Sequence, residues 1–160
     1  MEKITSFTIN HLLLQPGVYV SRKDPVGNTV VTTFDLRLTS PNEEPVMNTA
    51  EVHAIEHLGA TFLRNHKEWG ARVLYFGPMG CRTGFYLLTR DTLSRARALA
   101  LVQETMAFIA AYEGEIPGAA CSRECGNYRD HDLAAAKRYA KAYGEVLREW
   151  SAARMGYTSA

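Results

Sequence analysis

The sequence predicts an α+β protein, a single domain in which an antiparallel β-sheet is covered by helices. Three observations predict it. Stretches of β-branched or alternating residues come in adjacent pairs joined by turn-forming segments, as hairpins require. Stretches with a 3.6-residue apolar period stand between and after those pairs. Finally, 160 residues with 46% hydrophobic side chains can fill one core and give little reason to divide the chain, so residues 1–160 are read as one domain.

Residues 17–20 and 29–38 are β-branched or alternate apolar with polar, and Asp24, Pro25 and Gly27 between them form a turn cluster, so this is a hairpin. Residues 39–47 carry two prolines and the adjacent Glu43 and Glu44, which is loop chemistry. Asn48 then caps a helix with Glu51 at its third position. Along that helix Val52, Ile55, Leu58, Phe62 and Leu63 share one arc, while His53, Glu56, His57 and Ala60 fall together elsewhere. Residues 72–76 and 83–89 are two more strands, joined through Gly77-Pro78-Met79-Gly80-Cys81. Glycines there permit unusual backbone angles, which puts Cys81 at a tight corner. Asp91 is read as the cap of a long helix ending near Gly114, and Pro117-Gly118 opens a loop holding Cys121 and Cys125. A last helix starts near Asp132, with Leu133, Ala136, Ala140, Tyr143, Leu147 and Trp150 at helical spacing. Residues 151–160 are small and polar and read as a flexible tail.

Eighteen basic and seventeen acidic side chains leave a net charge of +1, which provides no field to attract nucleic acid or an anionic membrane. The first ten residues lack the basic flank and apolar run of an export signal, and the apolar runs fall well short of the roughly 20 residues that span a bilayer. A cytoplasmic protein is expected, in which three cysteines serve as free thiols or metal ligands rather than disulfides.

His53 and His57 stand at i and i+4, so their β-carbons are about 6 Å apart on one helical face and both rings can reach one ion. Glu56 lies close enough to touch a bound water or substrate and suits a general base. Two histidines at this spacing are more often plain half-exposed polar residues; the intervening glutamate and the separation from the apolar arc favour a metal site. The third ligand is open among His11, His66, His131 and the cysteines. If both Cys121 and Cys125 bound, the site would be a closed, structural one with four protein ligands. Cys81 is equally a small buried hydrophobe or a reactive thiol with its pKa lowered by Arg37 or a metal. Alternation along residues 33–38 places Asp35 and Arg37 on one face, either solvated or with Arg37 serving as an anion or thiolate partner. Arg64 shares its side of the helix with His57 and can meet a ligand carboxylate or favour the helix C-terminal dipole.

Five blocks, Ser6-Phe7-x-x-x-His11, Phe34-Asp35-x-Arg37, His53-x-x-Glu56-His57, Pro78-Met79-Gly80-Cys81-x-Thr83-Gly84 and Glu124-Cys125-Gly126, run in order through nearly the whole chain. Together they resemble S-ribosylhomocysteine lyase, the LuxS family. The His-x-x-Glu-His block alone is shared with inverted-motif metallopeptidases, which are much longer and take a carboxylate as third ligand. The resemblance implies that His53, His57 and Cys125 bind Fe2+, with Zn2+ or Co2+ as alternatives, and that Cys121 has no role. It implies cleavage of the thioether of S-ribosylhomocysteine to homocysteine and 4,5-dihydroxy-2,3-pentanedione, the precursor of autoinducer-2. Glu56 and Cys81 would carry protons, with Arg37 stabilising the Cys81 thiolate. Ser6, His11 and Arg37 match positions that contact substrate from a neighbouring subunit, which implies a homodimer. Tyr75, three residues before Pro78, departs from the aspartate expected in many members and puts the contact to the amino-acid end of the substrate in question.

Overall fold

A computed structural model of the chain describes residues 2–90 and 93–157. Among these, four strands and three α-helices follow in the order β1 (Gly17–Val26), β2 (Thr29–Arg37), α1 (Thr49–Arg64), β3 (Val73–Pro78), β4 (Gly84–Arg90), α2 (Arg95–Ala111) and α3 (Leu133–Arg148). The strands make one antiparallel sheet in the order β1-β2-β4-β3. This is the α+β arrangement the sequence predicts: each hairpin pairs locally, and the two hairpins join through β2 and β4.

Several boundaries differ from expectation for local reasons. β1 continues through Asp24 and Pro25, so the hairpin turn is Gly27-Asn28 alone. Pro25 is tolerated because β1 is an edge strand, where a missing N–H need not cost a ladder bond. In the β3–β4 corner the left-handed residue is Arg82 (φ 59), not a glycine, and its N–H donates to the Met79 carbonyl (2.9 Å). Ser94 caps α2, its hydroxyl accepting from the Arg97 amide (3.2 Å); Asp91 lies outside the described residues.

The sheet has two different faces. Register puts Val18, Leu36 and Phe85 side by side, with Phe34 and Leu87 in the next row, and these buried residues form the core under the helices. α1 contributes Val52, Ile55, Leu58 and Leu63 to it, as its apolar arc predicts, which leaves His53, Glu56 and His57 half-buried at the edge. On the opposite face Tyr19, Asp35 and Tyr86 form one row and Gly17, Arg37 and Gly84 the next.

That second face is covered around Tyr19 and Asp35, because the segment after α3 wraps round the β1 edge. The Val20 amide donates to the Met155 carbonyl (2.8 Å), Met155 is fully buried, and Tyr157 stacks on Tyr19 with ring centroids 5.1 Å apart. Trp150 adds a hydrogen bond from its indole to the Val18 carbonyl (3.1 Å). Residues 151–157 are therefore docked, in contrast to the expected tail: the free N–H groups of an edge strand and two large side chains outweigh the small, polar composition. Residues 158–160 lie outside the described residues.

Gly84 is where the two faces meet the site. A β-carbon there would press on the Leu36 carbonyl, which the β2–β4 ladder holds in place. Gly84→Ala is expected to lower stability by about 1–3 kcal/mol in urea unfolding, the usual cost of overpacking. Gly80→Ala, with open space at the same corner, should leave the midpoint nearly unchanged; equal midpoints for the two would show that the β2–β4 approach is not tight.

Candidate active site

Helical geometry brings the His53 and His57 rings to a centroid separation of 4.6 Å. Each ring is oriented by a backbone carbonyl: His53 Nδ1 lies 3.0 Å from the Asp130 oxygen and His57 Nδ1 lies 2.7 Å from the Pro117 oxygen. A carbonyl only accepts, so each Nδ1 carries a proton, and Nε2 is the nitrogen left on each ring to meet a metal. Gly118, beside that carbonyl, has φ 73, and a β-carbon there would sit 3.2 Å from His57 Nδ1, so the loop comes this close only with glycine.

The loop after α2 carries the third donor. Cys125 Sγ is 3.4 Å from His53 Nε2, and the Asn127 amide donates to the same sulfur (3.4 Å). The loop's end is tied to the start of α1 by the Asp132 amide, which donates to the Ala50 carbonyl (3.0 Å). Asp132 also caps α3, its carboxylate accepting from the Ala135 amide (2.8 Å). The donor atoms of His53, His57, Cys125 and His131 all lie within 4.8 Å of one another, and this cluster can hold a metal ion. Two imidazoles and a sulfur suit a divalent transition metal, and the outward hydrogen bonds of both histidines are those that metal-binding imidazoles make.

His131 joins the group by stacking on His53, with centroids 3.9 Å apart, and neither of its buried ring nitrogens has a partner among the described residues. Burial and the neighbouring His53 and His57 lower its pKa to about 4, so it is neutral at pH 7. The sequence left His131 among several possible ligands. Of the others, His11 donates to the Ile9 carbonyl (2.9 Å), and His66 bonds Glu104 (3.0 Å) while accepting from the Trp69 amide. Cys121 stands outside the cluster, so a closed site from His53, His57, Cys121 and Cys125 is not formed.

A groove of about 380 Å3 opens beside the cluster, with His53 and Glu56 on one wall and Pro78, Met79, Gly80 and Arg82 on the other. The second wall is the corner that carries the exposed Cys81. Partial burial pushes the Cys81 thiol up, but hydrogen bonds with Thr83 and the charge of Arg37 outweigh it and bring its pKa below the ordinary thiol value. The contacts are short: Cys81 Sγ to Thr83 Oγ1 3.1 Å, Arg37 Nη1 to Thr83 Oγ1 2.6 Å and Arg37 Nη1 to Cys81 Sγ 3.8 Å.

Arg37 is 2% exposed and Asp35 1%, so of the two readings of that strand face the solvated one fails. They form a bidentate pair at 3.1 and 2.6 Å. Burial works against the Arg37 charge, but Asp35 more than compensates and raises its pKa. Thr83 and Asp35 had no assigned role in the sequence; the position of Thr83 two residues after Cys81 was the available signal.

The remaining sequence candidates lie apart. Ser6, in the turn Thr5–Phe7, lines a separate cavity of about 300 Å3 with Ile4, Ser21, Tyr75 and Tyr86. Tyr75 is half-exposed there. Arg64 donates from Nη1 to the Leu74 carbonyl (3.0 Å) and so ties α1 to β3.

Residues 4–154 match the family model described as S-ribosylhomocysteinase (LuxS). The S-ribosylhomocysteine lyase of Clostridium acetobutylicum is 59% identical over 157 residues, covering 98% of this chain and 99% of its own. That of Finegoldia magna is 60% identical over 147 residues, 92% of each chain, and that of Phocaeicola vulgatus 50% over 158 residues, 98% of each. With this coverage, and with the His-His-Cys cluster in place, the chain belongs to the S-ribosylhomocysteinase (LuxS) family.

Proposed function

We propose that the protein is a metal-dependent lyase that cleaves S-ribosylhomocysteine to L-homocysteine and 4,5-dihydroxy-2,3-pentanedione by carbonyl migration and β-elimination. The observation that carries this reading is one groove with the Glu56 carboxylate and His53 of the metal-binding cluster on one wall and, on the other, the corner that bears a thiol of lowered pKa. The carbonyl must move along the ribose chain until the sulfur is β to it; each step takes a proton from a carbon beside a carbonyl and returns one to its neighbour. Two proton carriers are needed, and Glu56 and Cys81 fill those roles. Arg37 and Thr83 lower the Cys81 pKa and so favour the thiolate form, which accepts a proton. In the last step loss of the proton α to the carbonyl expels the sulfur, which leaves as homocysteine thiolate and takes up a proton.

His53, His57 and Cys125 would hold the metal, Fe2+ with Zn2+ or Co2+ as alternatives. A divalent ion supplies Lewis acidity, which lowers the cost of negative charge beside the carbonyl. Ser6, His11 and Arg64 are the proposed substrate contacts, the first two acting across a homodimer interface, whereas the expected substrate contact of Arg37 gives way to a role through Cys81, because its buried guanidinium is taken up by Asp35 and Thr83 of its own chain. The exposed Phe7 and Leu12 on the same segment as Ser6 and His11 support such an interface. Three free cysteines suit a reducing, cytoplasmic setting, and among the described residues no helix is long and apolar enough to cross a membrane.

The direct test is anaerobic protein loaded with Fe2+ or Co2+ and given S-ribosylhomocysteine, with free thiol followed by a colour reagent. Stoichiometric thiol release is expected. Loaded protein that liberates no thiol would sink the lyase reading.

A further inference from the structure

The segment after α3 reaches the proton-transfer groups from behind the sheet. Tyr157 donates its phenol to Asp35 Oδ2 (2.9 Å), the same oxygen that Arg37 Nη2 binds at 2.6 Å. Arg37 in turn contacts Thr83 and Cys81, so an unbroken line of polar contacts runs Tyr157–Asp35–Arg37–Thr83–Cys81. Three other tyrosines lie near Asp35. Tyr19 donates instead to the Gln15 carbonyl (2.8 Å) and Tyr143 to the Gly17 carbonyl (2.6 Å), while Tyr86 makes no hydrogen bond to Asp35 among the described residues. Tyr157 is thus the phenol placed on the carboxylate itself.

We infer that Tyr157 is a positioning residue for Cys81, acting through the Asp35–Arg37 pair. This rests on the reading of Cys81 as a proton carrier, and it assigns the C-terminal segment a part in the reaction. Two physical effects point the same way. The phenol holds the buried carboxylate, and with it the guanidinium, in the orientation that meets Thr83 and Cys81. It also draws negative charge from Asp35, which would otherwise offset the attraction of Arg37 for a thiolate. Burial, followed by Asp35, raises the Tyr157 pKa, so the phenol remains a donor through the working range. Other charged or titratable groups facing this line are Tyr86 on β4, Tyr19 and Arg22 on β1, Tyr143 on α3 and Arg154, which lies over the Trp150 ring and acts on Tyr19. Across the groove stand His53 and Glu56 on α1.

The test is iodoacetamide alkylation of Cys81 in Co2+-loaded protein from pH 6 to 10, quantified by peptide mass spectrometry, which needs no turnover. In Tyr157→Phe, Cys81 should react about three- to tenfold more slowly at pH 7, with an apparent pKa higher by about 0.5 to 1. Metal content and thermal midpoint should stay near those of the parent, because the ring still stacks on Tyr19. Tyr19→Phe, which loses a hydroxyl bonded elsewhere, should keep the parent profile. An unchanged profile in Tyr157→Phe overturns the inference, and so does an equal shift in both variants, which would assign the effect to aromatic packing. Failure of the catalytic reading shows separately, as undiminished thiol release by Cys81→Ala.

Discussion

Cys81→Ala and Glu56→Gln are each expected to bind a full complement of metal and to release homocysteine about 10²- to 10⁴-fold more slowly than the parent, the range typical of a lost general acid or base. Neither residue belongs to the His-His-Cys cluster, so metal content measured by atomic absorption should not change. Their roles differ chemically. Glu56 lies one residue before His57 on α1 and reaches the groove from the metal side, whereas the corner that carries Cys81 bounds it from the sheet side. Carriers approaching from two walls can serve successive carbon atoms of one bound chain, which a single side chain could reach only by moving. Loss of metal from either variant would reassign that residue to the metal site, and a near-parental rate would remove it from the chemistry.

Cys125→Ser is expected to lose the metal, and with it nearly all activity, while Cys121→Ser keeps both. Cys125 Sγ is held 3.4 Å from His53 Nε2 by a loop tied to α1, and replacing a thiolate with a neutral hydroxyl removes charge as well as the softer donor. Cys121 lies earlier in the same loop, its carbonyl accepting from the Glu124 amide (3.1 Å), and its sulfur is outside the cluster. Equal metal loss in the two serines would mean that the loop rearranges to a closed four-ligand site. Dialysis against a chelator, followed by metal analysis of both variants and the parent, distinguishes these results.

Much of this centre is legible in the sequence. The apolar arc of α1, its Asn48 cap and the i,i+4 histidines all follow from 3.6 residues per turn, and each is found where that period puts it. Alternation in β2 paired Asp35 with Arg37 correctly, and the five ordered blocks identified the family. The solvated reading of the Asp35–Arg37 face failed because the covering is not local: Tyr157 is 122 residues from Asp35, and no short-range period reports a segment folding back along an edge strand. For residues 151–157 the tail reading failed for the same reason.

What the sequence by itself determined are the features set by short-range backbone geometry: the helical clamp of His53 and His57, the glutamate beside it, and the cysteine at a strand corner. Only the tertiary structure decided which distant groups meet them. Cys125 and His131 reach the clamp because hydrogen bonds from His53 to the Asp130 carbonyl, and from the Asp132 amide to Ala50, fasten their loop across α1. Arg37 reaches Cys81 because the β2–β4 register brings Gly84 opposite it, and Tyr157 reaches Asp35 because the β1 edge had an amide free to bind the returning chain. Such contacts arise from long-range closure of loops and edges, whose geometry is set by the whole fold and leaves no periodic trace in the residues that make them.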